Sequence, residues 1–205
     1  MYNKVGIIDY GAGNIKSLAN TFGHLDIKVV SVKNKSDFNE ITYLVLPGVG
    51  AFSFCMDKLK KSQLIPEILN WINKKNPTLG ICVGMQMLFQ TSEELGNHDG
   101  LGILQGQVTD LKVNNSIVRV PHVGWNKVKF EKDFNLFKKN DNEDFYFAHS
   151  YSFENPNNNY KLANCIHGKK FSAAVKNNNL VGVQFHPEKS QDAGIKFLKS
   201  FLNKA

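Results

Sequence analysis

Up to Ile81 the apolar residues of this chain alternate between two periods, and that alternation restricts the fold more than anything else in the sequence. Short runs rich in β-branched residues read as strands at Lys4 to Asp9, Lys28 to Val32, Tyr43 to Leu46 and Thr78 to Ile81. Helical spacing fills the gaps, over Asn14 to Leu25, Ala51 to Leu59 and Ile65 to Lys75. Strand and helix in turn imply parallel strands joined by crossover helices, so the expected fold class is α/β, a mainly parallel sheet covered by helices on both faces. Ligands of such open sheets bind outside the carboxyl ends of the strands. From about Gly106 to Val183 the pattern changes to short β segments separated by Asn and Gly turns, before a last helix over Ala193 to Leu202. The runs Asn157-Asn158-Asn159 and Asn177-Asn178-Asn179 read as turns, since Asn tolerates left-handed backbone. With 205 residues and no repeat, linker or low-complexity boundary, residues 1–205 read as a single domain with a sizeable core.

The chemistry concentrates where the fourth strand ends. Cys82 stands in Gly80-Ile81-Cys82-Val83-Gly84, with Met85, Met87, Leu88 and Phe89 reading as the apolar part of a following helix. A nucleophile on a sharp strand-to-helix turn needs small neighbours, the physical basis of the G-x-S-x-G elbow. Near a helix start, unpaired N–H groups and the helix dipole favour a thiolate. Taken alone, a five-residue pattern recurs by accident, and a small buried residue on a Gly-flanked turn is the better reading.

A second feature reverses that balance. The β-rich stretch Leu180 to Phe185 ends at His186-Pro187-Glu188. Residues i and i+2 of an extended chain point the same way, so His186 and Glu188 can share one side of the strand end. Such a pair suits a base that takes a thiol proton and a carboxylate that holds its tautomer and steadies the imidazolium. Cys82, His186 and Glu188 are therefore the candidate catalytic residues.

Composition excludes several alternatives. No apolar run reaches membrane length and the N-terminus does not read as a signal peptide, so a cytoplasmic protein is expected. Three widely spaced cysteines, Cys55, Cys82 and Cys165, argue against a disulfide framework and for a reducing compartment. Cys55 and Cys165 read as packing residues. No ligand spacing suggests a metal, and no cofactor is expected. The net charge of +7 is spread over lysines such as Lys58, Lys60, Lys61, Lys74 and Lys75 without aromatic interleaving, which fits solvated helix faces better than nucleic-acid binding.

Nearly the whole chain resembles the class I, triad-type glutamine amidotransferases, and within them the glutaminase subunits of imidazole glycerol phosphate synthase. The resemblance rests on Asp9-Tyr10-Gly11-Ala12-Gly13-Asn14, Leu46-Pro47-Gly48-Val49-Gly50-Ala51-Phe52, the Cys82 elbow through Gln86, Pro121-His122-Val123-Gly124-Trp125-Asn126, Phe147-Ala148-His149-Ser150-Tyr151 and Phe185-His186-Pro187-Glu188-Lys189-Ser190. The elbow and His-Pro-Glu mark only the superfamily, whereas the opening, the Pro-Gly-Val-Gly-Ala-Phe segment and His-Val-Gly-Trp-Asn narrow it. Val83 where leucine is more usual and Ala12 where methionine is common are slight departures, at positions whose side chains carry no chemistry. The resemblance implies a flavodoxin-like three-layer fold. It also implies hydrolysis of L-glutamine through a Cys82 thioester, with His186 as base rather than its rival His149. Oxyanion donors are expected at Val83 and the Gly48-Val49-Gly50 loop, and the resemblance implies Gln86, Gly50, Ser150 and Tyr151 as glutamine-binding residues.

A chain this short has no room for a synthase domain, and free ammonia would be protonated in bulk water. The resemblance supplies a partner: a cyclase subunit with a (β/α)₈ barrel, forming a heterodimer that receives the ammonia. Asn14, Trp125, Asn126 and Lys189 are expected to face it, although Trp125 reads almost equally as a core aromatic. The alternatives are a glutaminase of another pathway, a paralogue supplying ammonia to a cyclase-like partner for surface-sugar modification, a cysteine peptidase of similar fold, and a binding module that has lost its chemistry. Met85 stands where the anthranilate and carbamoyl phosphate branches typically carry histidine, Gln86 disfavours the peptidase, and the filled triad positions disfavour the binding module.

Overall fold

A computed structural model describes residues 3–112, 118–153 and 159–203. In chain order its elements are β1 (Lys4–Ile8), α1 (Ile15–Gly23), β2 (Lys28–Val32), β3 (Tyr43–Leu46), α2 (Phe52–Lys61), α3 (Ile65–Asn73), β4 (Thr78–Ile81) and α4 (Val83–Gln86). There follow β5 (Phe89–Ser92), β6 (His98–Asp99), β7 (Leu104–Asp110), β8 (His122–Phe130), β9 (Asn142–His149) and β10 (Tyr151–Phe153). The chain ends with β11 (Lys161–His167), β12 (Lys169–Asn177), β13 (Leu180–Val183) and α5 (Gln191–Phe201). A 3₁₀ segment at Lys35–Glu40 fills the gap before β3, and another at Pro187–Lys189 precedes α5.

The large sheet runs β2-β1-β3-β4-β13-β12-β11-β8-β9. Its first five strands are parallel; β1, β3, β4 and β13 are nearly all apolar because they are buried on both faces, while β2 forms the more exposed edge. The last four are antiparallel. A smaller sheet, β10-β7-β5-β6, takes up the strands left over. The antiparallel half of the large sheet curls back on the parallel half. Phe145 of β9 stacks on Phe185, just past β13, with centroids 3.9 Å apart, and the His186 N–H donates to the Tyr146 carbonyl at 2.9 Å. Phe137 and Phe197 complete this buried aromatic cluster. Each such ring pair is worth about 0.5–1.5 kcal/mol beyond its area, which holds the curl in place.

The helices follow from their sequences. The Asn14 side chain caps α1 by accepting from the Ser17 N–H, Pro66 and Glu67 sit in the first turn of α3, and Lys58, Lys60 and Lys61 crowd the last turn of α2. Cations there meet the negative end of the helix dipole, so part of the net positive charge has a local structural use. Asn178, at φ 53°, makes the tight β12–β13 turn that the Asn-rich run suggests; Asn157 and Asn158 lie outside the described residues.

Two expectations need correction. The helix after Cys82 is a single turn, α4, and Phe89 opens a strand rather than continuing the helix. Met85, Met87, Leu88 and Phe89 are all fully buried, so no polar face exists to make an amphipathic helix. The backbone groups of Met87 and Leu88 instead bond to Leu101, Ile103 and Leu104, which starts the small sheet. The β segments of the second half are also longer than expected, up to nine residues in β8 and β12. Exposed and buried residues alternate along β8, as in a strand with one face to solvent.

Candidate active site

Register brings the site together. Leu46 of β3 pairs with Gly80 of β4, and Ile81 of β4 pairs with Val183 of β13. The segments leaving these three neighbouring strands, Pro47-Gly48, Cys82 and Gln184-Phe185-His186, therefore emerge side by side at the carboxyl ends of the sheet.

Cys82 turns the chain with φ 53° and ψ −115°, a conformation L residues rarely adopt. The turn is held from below by the Cys82 N–H donating to the Val183 carbonyl at 2.7 Å. The glycines around it are explained by close approach. A Cβ on Gly84 would collide with the Leu46 carbonyl oxygen, and one on Gly48 would sit 2.6 Å from the Gly84 nitrogen. The β3 exit loop and the elbow thus pack backbone to backbone, which no larger residue permits.

His186 donates from Nδ1 to Glu188 Oε1 at 2.9 Å, leaving Nε2 toward Cys82. The two residues do not share one side of an extended strand: Glu188 lies in the 3₁₀ turn Pro187–Lys189, and that turn brings its carboxylate back under the ring. Ser190 braces the turn, donating to the His186 carbonyl at 2.6 Å and accepting from the Tyr146 N–H at 3.0 Å. Both His186 and Glu188 side chains are buried. Burial works against a charged His186, but its hydrogen bonds to Cys82 and Glu188 outweigh it and push the pKa up to about 10. The arrangement favours a charged imidazolium at His186, held between Cys82 and Glu188.

A pocket of about 270 Å³ opens over Cys82 and His186. Val49, Gly50 and Val83 line one part of it, and Gln86, Ser150, Tyr151 and Lys189 another. Gly48 does not reach the pocket surface but packs beneath it against the elbow. Glu188 stands behind His186. The Gln86 side chain is buried and donates from Nε2 to the Tyr151 carbonyl and to Gln184 Oε1, each at 3.0 Å. With that nitrogen engaged, Gln86 has its amide oxygen left to offer a ligand.

The four partner-facing candidates diverge. Trp125 is 48% exposed, which rules out its reading as a core aromatic, and Lys189 stands at the pocket with its ammonium 5.5 Å from the Tyr146 ring. Asn14 is half-buried and serves as the α1 cap. The Asn126 amide is engaged within the chain, to His122 Nε2 at 3.1 Å and the Ile166 carbonyl at 3.0 Å.

Further residues shape the site in ways the sequence reading did not assign. Glu94 lines the pocket and ties the N-terminus of α2 by accepting from the Phe52 N–H at 2.7 Å. Tyr10 donates to the Pro47 carbonyl at 2.6 Å, fixing the start of the Gly48 loop, and burial pushes its phenol far up from the usual range. Cys55, read as packing, is buried but also donates to the Val49 carbonyl at 3.4 Å. His149 lines the pocket with both ring nitrogens engaged, to Tyr151 O at 2.8 Å and His122 at 3.0 Å. Burial lowers its pKa to about 4, so it is neutral where His186 is charged. Tyr10 and His149 stand inside the motifs quoted above, His149 as the rival base, whereas Glu94 and Gln184 carry no sequence signal of their own.

Comparison with known proteins shows the family. Residues 6–205 match the family described as glutamine amidotransferase class-I. The imidazole glycerol phosphate synthase subunit HisH of Bdellovibrio bacteriovorus is 44% identical over 202 residues, covering 96% of this chain and 98% of that protein. The subunit of the same name from Sulfurimonas denitrificans is 39% identical over 200 residues, covering 96% of each chain. The imidazole glycerol phosphate synthase hisHF of Arabidopsis thaliana is 37% identical over 97% of this chain, which spans 34% of it. Among solved structures, PurLQS from Thermotoga maritima superposes with a TM-score of 0.76 over 99% of each chain at 18% identity, a likeness of fold. The chain belongs to the class-I glutamine amidotransferases and, within them, to the HisH subunits of imidazole glycerol phosphate synthase.

Proposed function

We propose that the chain splits the side-chain amide of L-glutamine on Cys82 and delivers the ammonia to a cyclase subunit docked over the pocket. The Cys82 thiolate attacks the carboxamide carbon, and the charge on the resulting oxyanion meets backbone N–H groups of Val83 and of the Gly48-Val49-Gly50 loop. His186 gives its proton to the departing nitrogen, the C–N bond breaks, and ammonia leaves a glutamyl thioester. Neutral His186 then takes a proton from water as it attacks, the C–S bond breaks, and glutamate and thiolate are released. Glu188 holds the imidazole in the tautomer both steps need. Gln86, Ser150 and Tyr151 grip the amino-acid head group, with the Glu94 carboxylate suited to its ammonium.

The chain is the glutamine-hydrolysing subunit of imidazole glycerol phosphate synthase, in histidine biosynthesis; its relatives' names favour this over surface-sugar modification. The partner is read as a (β/α)₈ barrel that yields imidazole glycerol phosphate and an aminoimidazole carboxamide ribotide. Trp125 and Lys189 are read as its contacts here, together with Asn14 and Asn126. The extra length of the Arabidopsis relative supports such a pairing. Residues 1–205 act as one domain in a reducing cytoplasm; among the described residues no helix is long and apolar enough to cross a membrane.

The observation that carries the reading is the His186–Glu188 contact of 2.9 Å beside a strained, buried Cys82. The test is glutamate release from glutamine by the chain alone, with the cyclase subunit, and with that subunit plus its nucleotide. Turnover that rises in the full mixture and vanishes in Cys82→Ala is expected; wild-type turnover by Cys82→Ala would overturn it.

A further inference from the structure

Behind the pocket runs a file of hydrogen bonds whose direction is fixed at every step. Asn126 Nδ2 can only donate, so His122 Nε2 accepts from it at 3.1 Å. The His122 proton is then on Nδ1, which donates to His149 Nε2 at 3.0 Å, and His149 donates from Nδ1 to the Tyr151 carbonyl at 2.8 Å. Both rings are held neutral by burial, His122 with its pKa lowered to about 3.

The Tyr151 carbonyl can only accept, so the Gln86 atom 3.0 Å from it is the amide nitrogen. The second proton on that nitrogen reaches Gln184 Oε1, also at 3.0 Å. Gln184 is left with one orientation: its own Nε2 points at Cys82 Sγ, 3.7 Å away. It has no solvent exposure and sits two residues before His186, with its backbone N–H tied to Ala173 O at 2.9 Å.

We propose that Gln184 is a further catalytic residue of the thioester reaction, its side-chain amide being a fixed donor to the Cys82 sulfur. The proposal rests on the glutaminase reading given above. Charge sits on the sulfur twice in the cycle: before attack, and when the C–S bond of the glutamyl thioester breaks. A donor aimed at Sγ steadies the nucleophile in the first case and the leaving thiolate in the second. His186 changes charge between these moments, neutral while water attacks and an imidazolium again as the C–S bond breaks, whereas the Gln184 amide stays a donor to sulfur throughout. Gln86 touches substrate on one side and sets the Gln184 amide on the other, so ligand binding and sulfur activation share one side chain.

The test uses two variants. Gln184→Glu keeps an oxygen to accept from Gln86 and replaces the donor to sulfur by a second oxygen; Gln184→Met removes both groups at similar volume. Unfolding curves first establish that each variant folds, the Met variant serving if a buried carboxylate prevents folding. Alkylation of Cys82 by iodoacetamide is then followed without glutamine or partner, so its outcome does not depend on the chain being a glutaminase. In Gln184→Glu the alkylation rate is expected to fall roughly 10- to 100-fold, the range for losing one hydrogen bond to a charged group. In the assembled synthase its kcat should fall by a similar factor with KM within about threefold, and intact mass should reveal accumulated glutamyl thioester. In Gln184→Met the alkylation rate should fall likewise, with KM raised as well. Wild-type alkylation in a folded variant, or a loss confined to KM, would overturn the proposal, leaving Gln184 as a support for Gln86. Failure of the glutaminase reading would appear differently, as Cys82→Ala retaining turnover.

Discussion

Strain at Cys82 can be separated from its chemistry by replacing it with Ala and with Gly. Both variants lack the thiol, so the comparison is of stability alone. They differ by one buried methyl, since Cys82 is only 3% exposed. Losing that group costs about 0.8 kcal/mol of burial. Glycine adds about 0.4–1 kcal/mol of chain entropy to the unfolded state. At an ordinary buried position, Gly would therefore be less stable than Ala by about 1.5 kcal/mol. At Cys82 the left-handed backbone, φ 53° with ψ −115°, holds a side chain where it does not belong, a strain of about 1–3 kcal/mol that Gly releases. The Gly variant should then fall between about 0.5 kcal/mol less stable and about 1.5 kcal/mol more stable than the Ala variant. Urea unfolding at equal m-values measures the difference, and thermal unfolding repeats it at about 2–4 °C per kcal/mol for a chain of this size. A Gly variant less stable than Ala by about 1.5 kcal/mol or more would refute stored strain at the elbow.

The His186 pKa, pushed from 6.5 to about 10, means that its charged form stabilises the fold fully below pH 6.5 and that this contribution is lost as pH rises through about 10. Tm of the chain should fall across that window more steeply than Tm of Glu188→Gln, and equal slopes would contradict the pairing. Gly194→Ala puts a Cβ on the Pro187 carbonyl and must shift the turn that carries Glu188, so kcat should drop by up to roughly 100-fold with little change in KM. An unchanged kcat would show the turn is held some other way. Trp125→Ala should leave the Tm of the isolated chain nearly unaltered, because half the side chain is in solvent, yet weaken cyclase binding by about 2 kcal/mol in a calorimetric titration. Undiminished affinity would place the docking face elsewhere.

The parallel half of the fold was legible because its strands are short, apolar and separated by helices, so period alone distinguishes them. β1 to β4 and α1 to α3 lie within one or two residues of where the spacing puts them. The small sheet was not legible: a run buried on every side, from Met85 to Phe89, has no periodicity to read. Cys82, His186 and Glu188 were visible as residues, but the turn that joins the last two was not. It depends on Ser190 meeting Tyr146, a contact across 44 residues. Gln184 and Glu94 were invisible for a similar reason, since their importance lies in partners far away along the chain.

The bonds made by Tyr146 have a further consequence. β9 is the last strand of the large sheet, and a free strand edge is a template on which other chains can add. At Tyr146 both outward backbone groups are taken, the N–H by the Ser190 hydroxyl and the carbonyl by the His186 N–H. Nearby, Lys196 of α5 clasps Glu143 at 2.6 Å. The segment that carries His186 and Glu188 is thus also the stopper on an otherwise adhesive margin. When heat or mutation frees that segment, the chain loses its activity and bares a template in the same event, so inactivation and aggregation have one origin.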